Sequence, residues 1–141
     1  MNTCIDFYIL DDGIDRLTFA CQLIEKAYKQ KHRLFIQCGN EKETHRMDNQ
    51  LWLFKTSSFV PHNIQGEGPT PPPPIQLGYS DKAPGFNDIL INLSLEVPPF
   101  HRQFKRVIEI VDANPEIKEA LRKHYRFYQS QSYSIQNHNI R

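Results

Sequence analysis

The chain has 141 residues, 39% of them hydrophobic and 23% charged, with a formal net charge of +1. That length predicts one domain able to bury a core without disulfide or metal staples. The near-neutral balance excludes a field built for nucleic acid or an anionic membrane, and no stretch approaches the about 18 apolar residues that cross a bilayer.

Met1 to Leu10 has no basic segment ahead of its apolar run and carries Asp6 inside it, which argues against a signal peptide. Instead "CIDFYIL" (4–10) reads as a buried strand closed by Asp11, Asp12 and Gly13. Ile14, Leu17, Cys21, Ile24 and Tyr28 then recur at helical spacing, with Ala20 and Ala27 on the same stripe. "RLFIQC" (33–38) is a second buried strand. Asn40 is placed to cap a second helix with Glu43 three residues on, and Thr44, Met47, Leu51 and Phe54 share one face of it.

This β-α-β-α order predicts a parallel sheet with right-handed crossovers. A loop follows from Ser57 to Pro74, with six of the ten prolines between Pro61 and Pro74. "IQLGY" (75–79) can be a short strand and "DILINLS" (88–94) a central one. A short helix is expected from about Pro98 to Phe104, and a strand at "RVIEIVD" (106–112). Asn114-Pro115-Glu116 starts a last helix running to about Tyr128: a cap, a proline in the first turn and an acid beside the positive helix end. The polar tail from Ser130 to Arg141 is expected to fray. Neither an internal repeat nor a second domain is visible.

The motifs of catalysis are missing. A dinucleotide fingerprint needs G-x-G-x-x-G after the first strand, but that turn reads "DDGIDR", whose acids repel phosphate. Gly66-Glu67-Gly68-Pro69 lies far from that turn, carries the wrong charge and ends on a residue without an N–H. His62 and Asn63 could pair chemically, but hydrogen bonds to their own loop backbone are the simpler reading. His124, on a helix with Ile117, Ala120 and Leu121, reads as a structural histidine. Cys4, Cys21 and Cys38 are odd in number and widely spaced. They show no metal spacing with histidine, as expected of reduced thiols in a cytoplasmic protein.

Two surfaces are better suited to partners. Trp52 is one residue from Leu51, so it sits roughly 100° around the helix from the core stripe. Phe59, Val60 and Pro61 follow in a proline-stiffened loop. These aromatics either dock another protein or tuck under the loop as a satellite core. On the last helix, Lys118, Arg122, Tyr125 and Gln129 form a stripe beside the inward one. Two cations around an aromatic can hold a carboxylate and an apolar side chain together, or simply face solvent. From residue 98 onward there are eight Lys and Arg against four Asp and Glu, so this end is locally basic.

"FYIL", "CGNEKETHRMDNQLW" (38–52), "SFVPHNIQGEGP" (58–69), "DILINLS" and "HYRFY" (124–128), in that order, resemble the chi subunit family of the bacterial DNA polymerase III holoenzyme over nearly the whole chain. The resemblance implies a single α/β domain over 1–141. Its fold would be a Rossmann-like three-layer sandwich with a mostly parallel central sheet and no phosphate-binding loop. It implies an accessory subunit of a DNA polymerase complex without intrinsic activity, catalytic residues, cofactor or metal. Such a subunit links the clamp loader, through the psi subunit, to the acidic C-terminal tail of single-stranded DNA-binding protein. Psi would meet Trp52, Phe59, Val60 and Pro61, with a helicase competing for that surface. The tail would meet Val111, Lys118, Arg122 and Tyr125. Neither direct sequence-specific DNA binding nor membrane association is implied. The alternative from another class is a small nucleotide-binding enzyme on the same sheet.

Overall fold

A computed structural model describes residues 3–54, 60–68 and 71–141. The strands are β1 (Cys4–Leu10), β2 (Leu34–Gln37), β3 (His62–Ile64), β4 (Ile75–Gly78), β5 (Ile89–Asn92), β6 (Arg106–Val111) and β7 (Ser134–Ile140). The helices are α1 (Arg16–Lys29), α2 (Glu41–Leu53) and α3 (Pro115–Ser130), with a 3-10 turn at His101–Gln103. The strands form one sheet in the order β3-β4-β2-β5-β6-β1-β7, and every pairing among the described residues is parallel.

Side-chain alternation along β2 separates two cores. Leu34 and Ile36 pack with Phe19, Ala20 and Ile24 of α1 and Met47 and Leu51 of α2. Phe35, between them, packs instead with Leu90, Phe100, Phe104, and Leu121 and Tyr128 of α3. The sheet is therefore the middle of three layers, an α/β sandwich of Rossmann-like type. Each large side chain fully withdrawn from water in these layers contributes about 1.5–3 kcal/mol.

The caps form as the sequence predicts. The Asn40 side chain accepts from the Glu43 N–H at 2.8 Å, and Asn114 accepts from the Glu116 N–H at 2.9 Å. The first helix is capped by Asp15, which accepts from Thr18. The expected helix at 98–104 is only the 3-10 turn.

Two expectations change. The segment read wholly as loop contains β3, and the turn that ends it needs the left-handed conformation at Gly66 and Gly68, with φ of 89° and 83°. More consequentially, the tail expected to fray from Ser130 extends α3 to Ser130 itself and then forms β7, an edge strand in register with β1 from Cys4↔Ser134 to Leu10↔Ile140. Its polar side chains find long-range partners. His138 stacks on Tyr8 with ring centroids 4.6 Å apart, and its Nε2 lies 2.8 Å from Asp6 Oδ1. Arg106 donates to the other Asp6 oxygen at 2.6 Å, so one nearly buried carboxylate ties β6, β1 and β7 together.

Candidate functional site

The carboxyl half of β1 and the Lys118–Tyr125 stretch of α3 enclose an open depression of about 330 Å³. Phe7, Val111 and Leu121 supply apolar walls, and Ile9 is 39% exposed beside them. Tyr125 closes one side with its ring edge-on to Phe7, centroids 5.1 Å apart. Lys118 and Arg122, one helical turn apart, stand at the rim as exposed cations, and neither is ion-paired among the described residues. Asn137 of β7 completes the lining. Thus Val111, Lys118, Arg122 and Tyr125 all meet in one place, while Gln129 does not line it.

A buried polar network sets the position of α3. Glu109, on β6, is completely buried. Its carboxylate accepts from Tyr128 at 2.6 Å and from Asn92 at 3.0 Å, and lies 3.1 Å from His124 Nδ1. The other His124 nitrogen lies 3.0 Å from the Leu95 carbonyl. Both partners only accept, so the imidazole must donate from both nitrogens. Burial opposes its charge, but the Glu109 carboxylate outweighs this and holds the His124 pKa above its ordinary value. Burial and the same carboxylate keep the Tyr128 hydroxyl protonated.

On the opposite helical layer, Trp52 and Leu53 end α2 with 55% and 79% of their surfaces exposed. The Trp52 ring packs on His62, centroids 4.5 Å apart. His62 is pinned from below: Nδ1 donates to the Val60 carbonyl at 2.7 Å, and Nε2 sits 3.2 Å from Asp48 Oδ1, too poorly aligned for a hydrogen bond. Asn63 donates to the Glu67 carbonyl at 2.6 Å. Both side chains therefore bond their own segment's backbone, and Asn63 also accepts from Gln76 of β4 at 3.2 Å. Val60, expected on this surface, is instead 6% exposed, its apolar side chain packed into the α1–α2 core ahead of β3. Pro61 is half-buried, and Phe59 lies outside the described residues.

Nucleophilic chemistry has no foothold at Cys38, whose thiol is pushed up to about 12 by burial. Cys21 is raised to about 12 by the same cause. All three cysteines are free, with Cys4 exposed. No helix among the described residues is long and apolar enough to cross a membrane.

Sequence reasoning missed Leu53, Phe7, Ile9 and Asn137. Leu53 had a signal, since it neighbours Trp52 off the core stripe. Phe7 and Ile9 share one face of β1, but nothing local reveals that α3 covers it.

A family model described as "DNA polymerase III chi subunit, HolC" matches residues 2–136. The chain belongs to the DNA polymerase III chi subunit family. The chi subunit of Pseudomonas aeruginosa is 37% identical over 140 residues, covering 98% of this chain and 97% of that protein. The Escherichia coli chi subunit is 30% identical over 136 residues, or 92% of each chain. The Haemophilus influenzae protein of the same name is 29% identical over 137 residues, or 95% of each. The exposed cations over an apolar floor and the exposed aromatic end of α2 are thus features of a chi-family chain.

Proposed function

We propose that this chain is a non-catalytic adaptor of the DNA polymerase III holoenzyme, acting in the cytoplasm during DNA replication. The depression under α3 takes the acidic C-terminal tail of single-stranded DNA-binding protein. The end of α2, with Trp52 at its centre and Pro61 following, takes the psi subunit, which joins the chain to the clamp loader; Phe59, outside the described residues, is assigned to the same partner by the resemblance alone. Val60 supports that surface from the core. A helicase competes for the psi surface. The observation that carries this reading is the convergence of Val111, Lys118, Arg122 and Tyr125 on one small apolar basin with a cationic rim.

The chemistry follows from the geometry. A terminal hydrophobic side chain fills the space over Phe7, Val111 and Leu121, and its α-carboxylate meets the Arg122 guanidinium. Upstream aspartates lie near Lys118. Arg122→Ala is expected to cost about 2–3 kcal/mol of peptide affinity, because it strands a desolvated carboxylate. Lys118→Ala is expected to cost less and to lose its effect in high salt, since a rim charge is screened.

Calorimetry on a double-mutant cycle between Arg122→Ala and amidation of the peptide's C-terminus, at two salt concentrations, tests the assignment. Strong coupling between the two changes supports it. Additive losses would mean that Arg122 does not hold the carboxylate.

A further inference from the structure

The carboxyl edge of the sheet carries a second crevice with opposite chemistry. After β2 the chain turns into α2 on one face. After β5 it passes through Phe100 to the layer of α3 on the other. Neighbouring strands whose chains leave toward opposite faces open a ligand-sized gap at their carboxyl ends. Here the gap is about 320 Å³, with Gln37, Glu43, Tyr79, Asp81, Leu95 and Glu96 on its walls.

Gln37 is only 5% exposed, and its Nε2 donates to the Ser80 carbonyl at 3.0 Å. A carbonyl can only accept, so this bond fixes the amide's orientation. Oε1 is then the amide atom left for the crevice, and it is a buried acceptor with no hydrogen-bond partner among the described residues. Leaving such an acceptor empty is costly, and a donating ligand removes that cost. Three carboxylates share the lining, and among the described residues no Lys, Arg or His does. The acids are not gathered for a metal: no group of three or more potential ligands is close enough to hold one among the described residues. Tyr79 and Leu95, 44% and 46% exposed, add an aromatic ring and an aliphatic wall.

We propose that this crevice binds an organic cation, a guanidinium or primary ammonium carried on an aliphatic stem. The carboxylates and Gln37 Oε1 accept its N–H groups, while Tyr79 and Leu95 pack on the stem and the cation's face. The same acids turn away the phosphates that bind at this edge in nucleotide-binding relatives of the fold.

The test is a titration followed by amide chemical shifts on the full chain. The probes are Nα-acetylarginine amide, spermidine, and Nα-acetylcitrulline amide as the neutral counterpart of the first. Saturable shifts at residues 37–40, 79–81 and 94–98 are expected with at least one cation, and none with citrulline. The stronger cation distinguishes a peptide-borne side chain from a free polyamine. In a double variant, Asp81→Asn with Glu96→Gln, both exposed acids are neutralised without touching the core. Affinity there is expected to fall about fivefold or more, with a shallower salt dependence. Gln37→Leu is expected to weaken binding without changing the salt dependence. Should that variant fail to fold, the exposed-acid variant still decides. Absence of saturable shifts in these segments, an equal response to citrulline, or indifference to the double variant overturns the proposal. Affinity for the acidic tail peptide, measured alongside, is expected to stay unchanged in the double variant, so this site and the α3 basin stand or fall separately.

Discussion

Glu109 decides more than any exposed residue. It is fully buried, and three side chains from β5 and α3 point hydrogen-bond donors at it. Glu109→Ala is expected to cost about 3–5 kcal/mol in urea unfolding, because it strips the buried acceptor from His124 Nδ1, the Tyr128 hydroxyl and the Asn92 amide at once. His124 adds a pH dependence with a definite sign. Its native pKa is raised above 6.5, so its contribution is complete below that value and is lost as pH climbs through the raised native pKa. His101 acts in the opposite window. Burial lowers its pKa below 6.5, matching a neutral ring that donates from Nδ1 to the Pro98 carbonyl at 2.8 Å and accepts from the Tyr133 hydroxyl at 3.0 Å. Its contribution is present above 6.5 and is lost as pH falls through the lowered native pKa. Urea stabilities from pH 5 to 9 should therefore show His124→Gln removing the decline on the alkaline side alone. Persistence of that decline in the variant would assign it to another group.

At the scale of elements, β7 is an edge strand made from a polar tail, and it borders the proposed peptide basin through Asn137. His138 holds it from the far side of the sheet, through Asp6 and Tyr8. His138→Ala is expected to cost about 1 kcal/mol, the worth of a hydrogen bond and a ring contact. The local effect should exceed the global one. Hydrogen exchange should accelerate at 134–140 while β5 and β6 keep their protection. Tail-peptide affinity should drop with it, although His138 lies on the opposite face from the basin. Unchanged exchange in β7 would show that backbone pairing with β1 holds the strand unaided.

For the molecule as a whole, the sheet separates the two proposed partner surfaces, with the α2 end packed on one face and the α3 basin on the other. Trp52→Ala is expected to weaken psi by about 2 kcal/mol or more, as truncation of a central aromatic anchor does. It should leave tail-peptide affinity unaltered, and the Trp52→Ala, Arg122→Ala double variant should show additive losses, because the sites share no partner residue. Coupling between them in a calorimetric cycle would mean that the sheet transmits strain between its layers. Loss of the folded state in Trp52→Ala alone would make Trp52 part of the core, which its 55% exposure argues against.

Short-range patterns determined much of this protein. The bounds of β1, the caps at Asn40 and Asn114, and the paired stripes of α3 follow from periodicity and from hydrogen bonds spanning two or three residues. The rim of the basin was legible for the same reason, since Lys118, Arg122 and Tyr125 share one helix face. The rest needed the tertiary structure. Phe7 and Ile9 join the basin only because α3 crosses β1. Val60 is drawn off the surface into the α1–α2 core. Glu109 looks like an ordinary charge in "RVIEIVD" until Asn92, His124 and Tyr128 surround it. The tail becomes a strand by pairing with β1, where His138 also meets Asp6 across 132 positions of chain. A local window registers how polar such residues are, but their partners, which set the energy, are chosen only when the sheet closes.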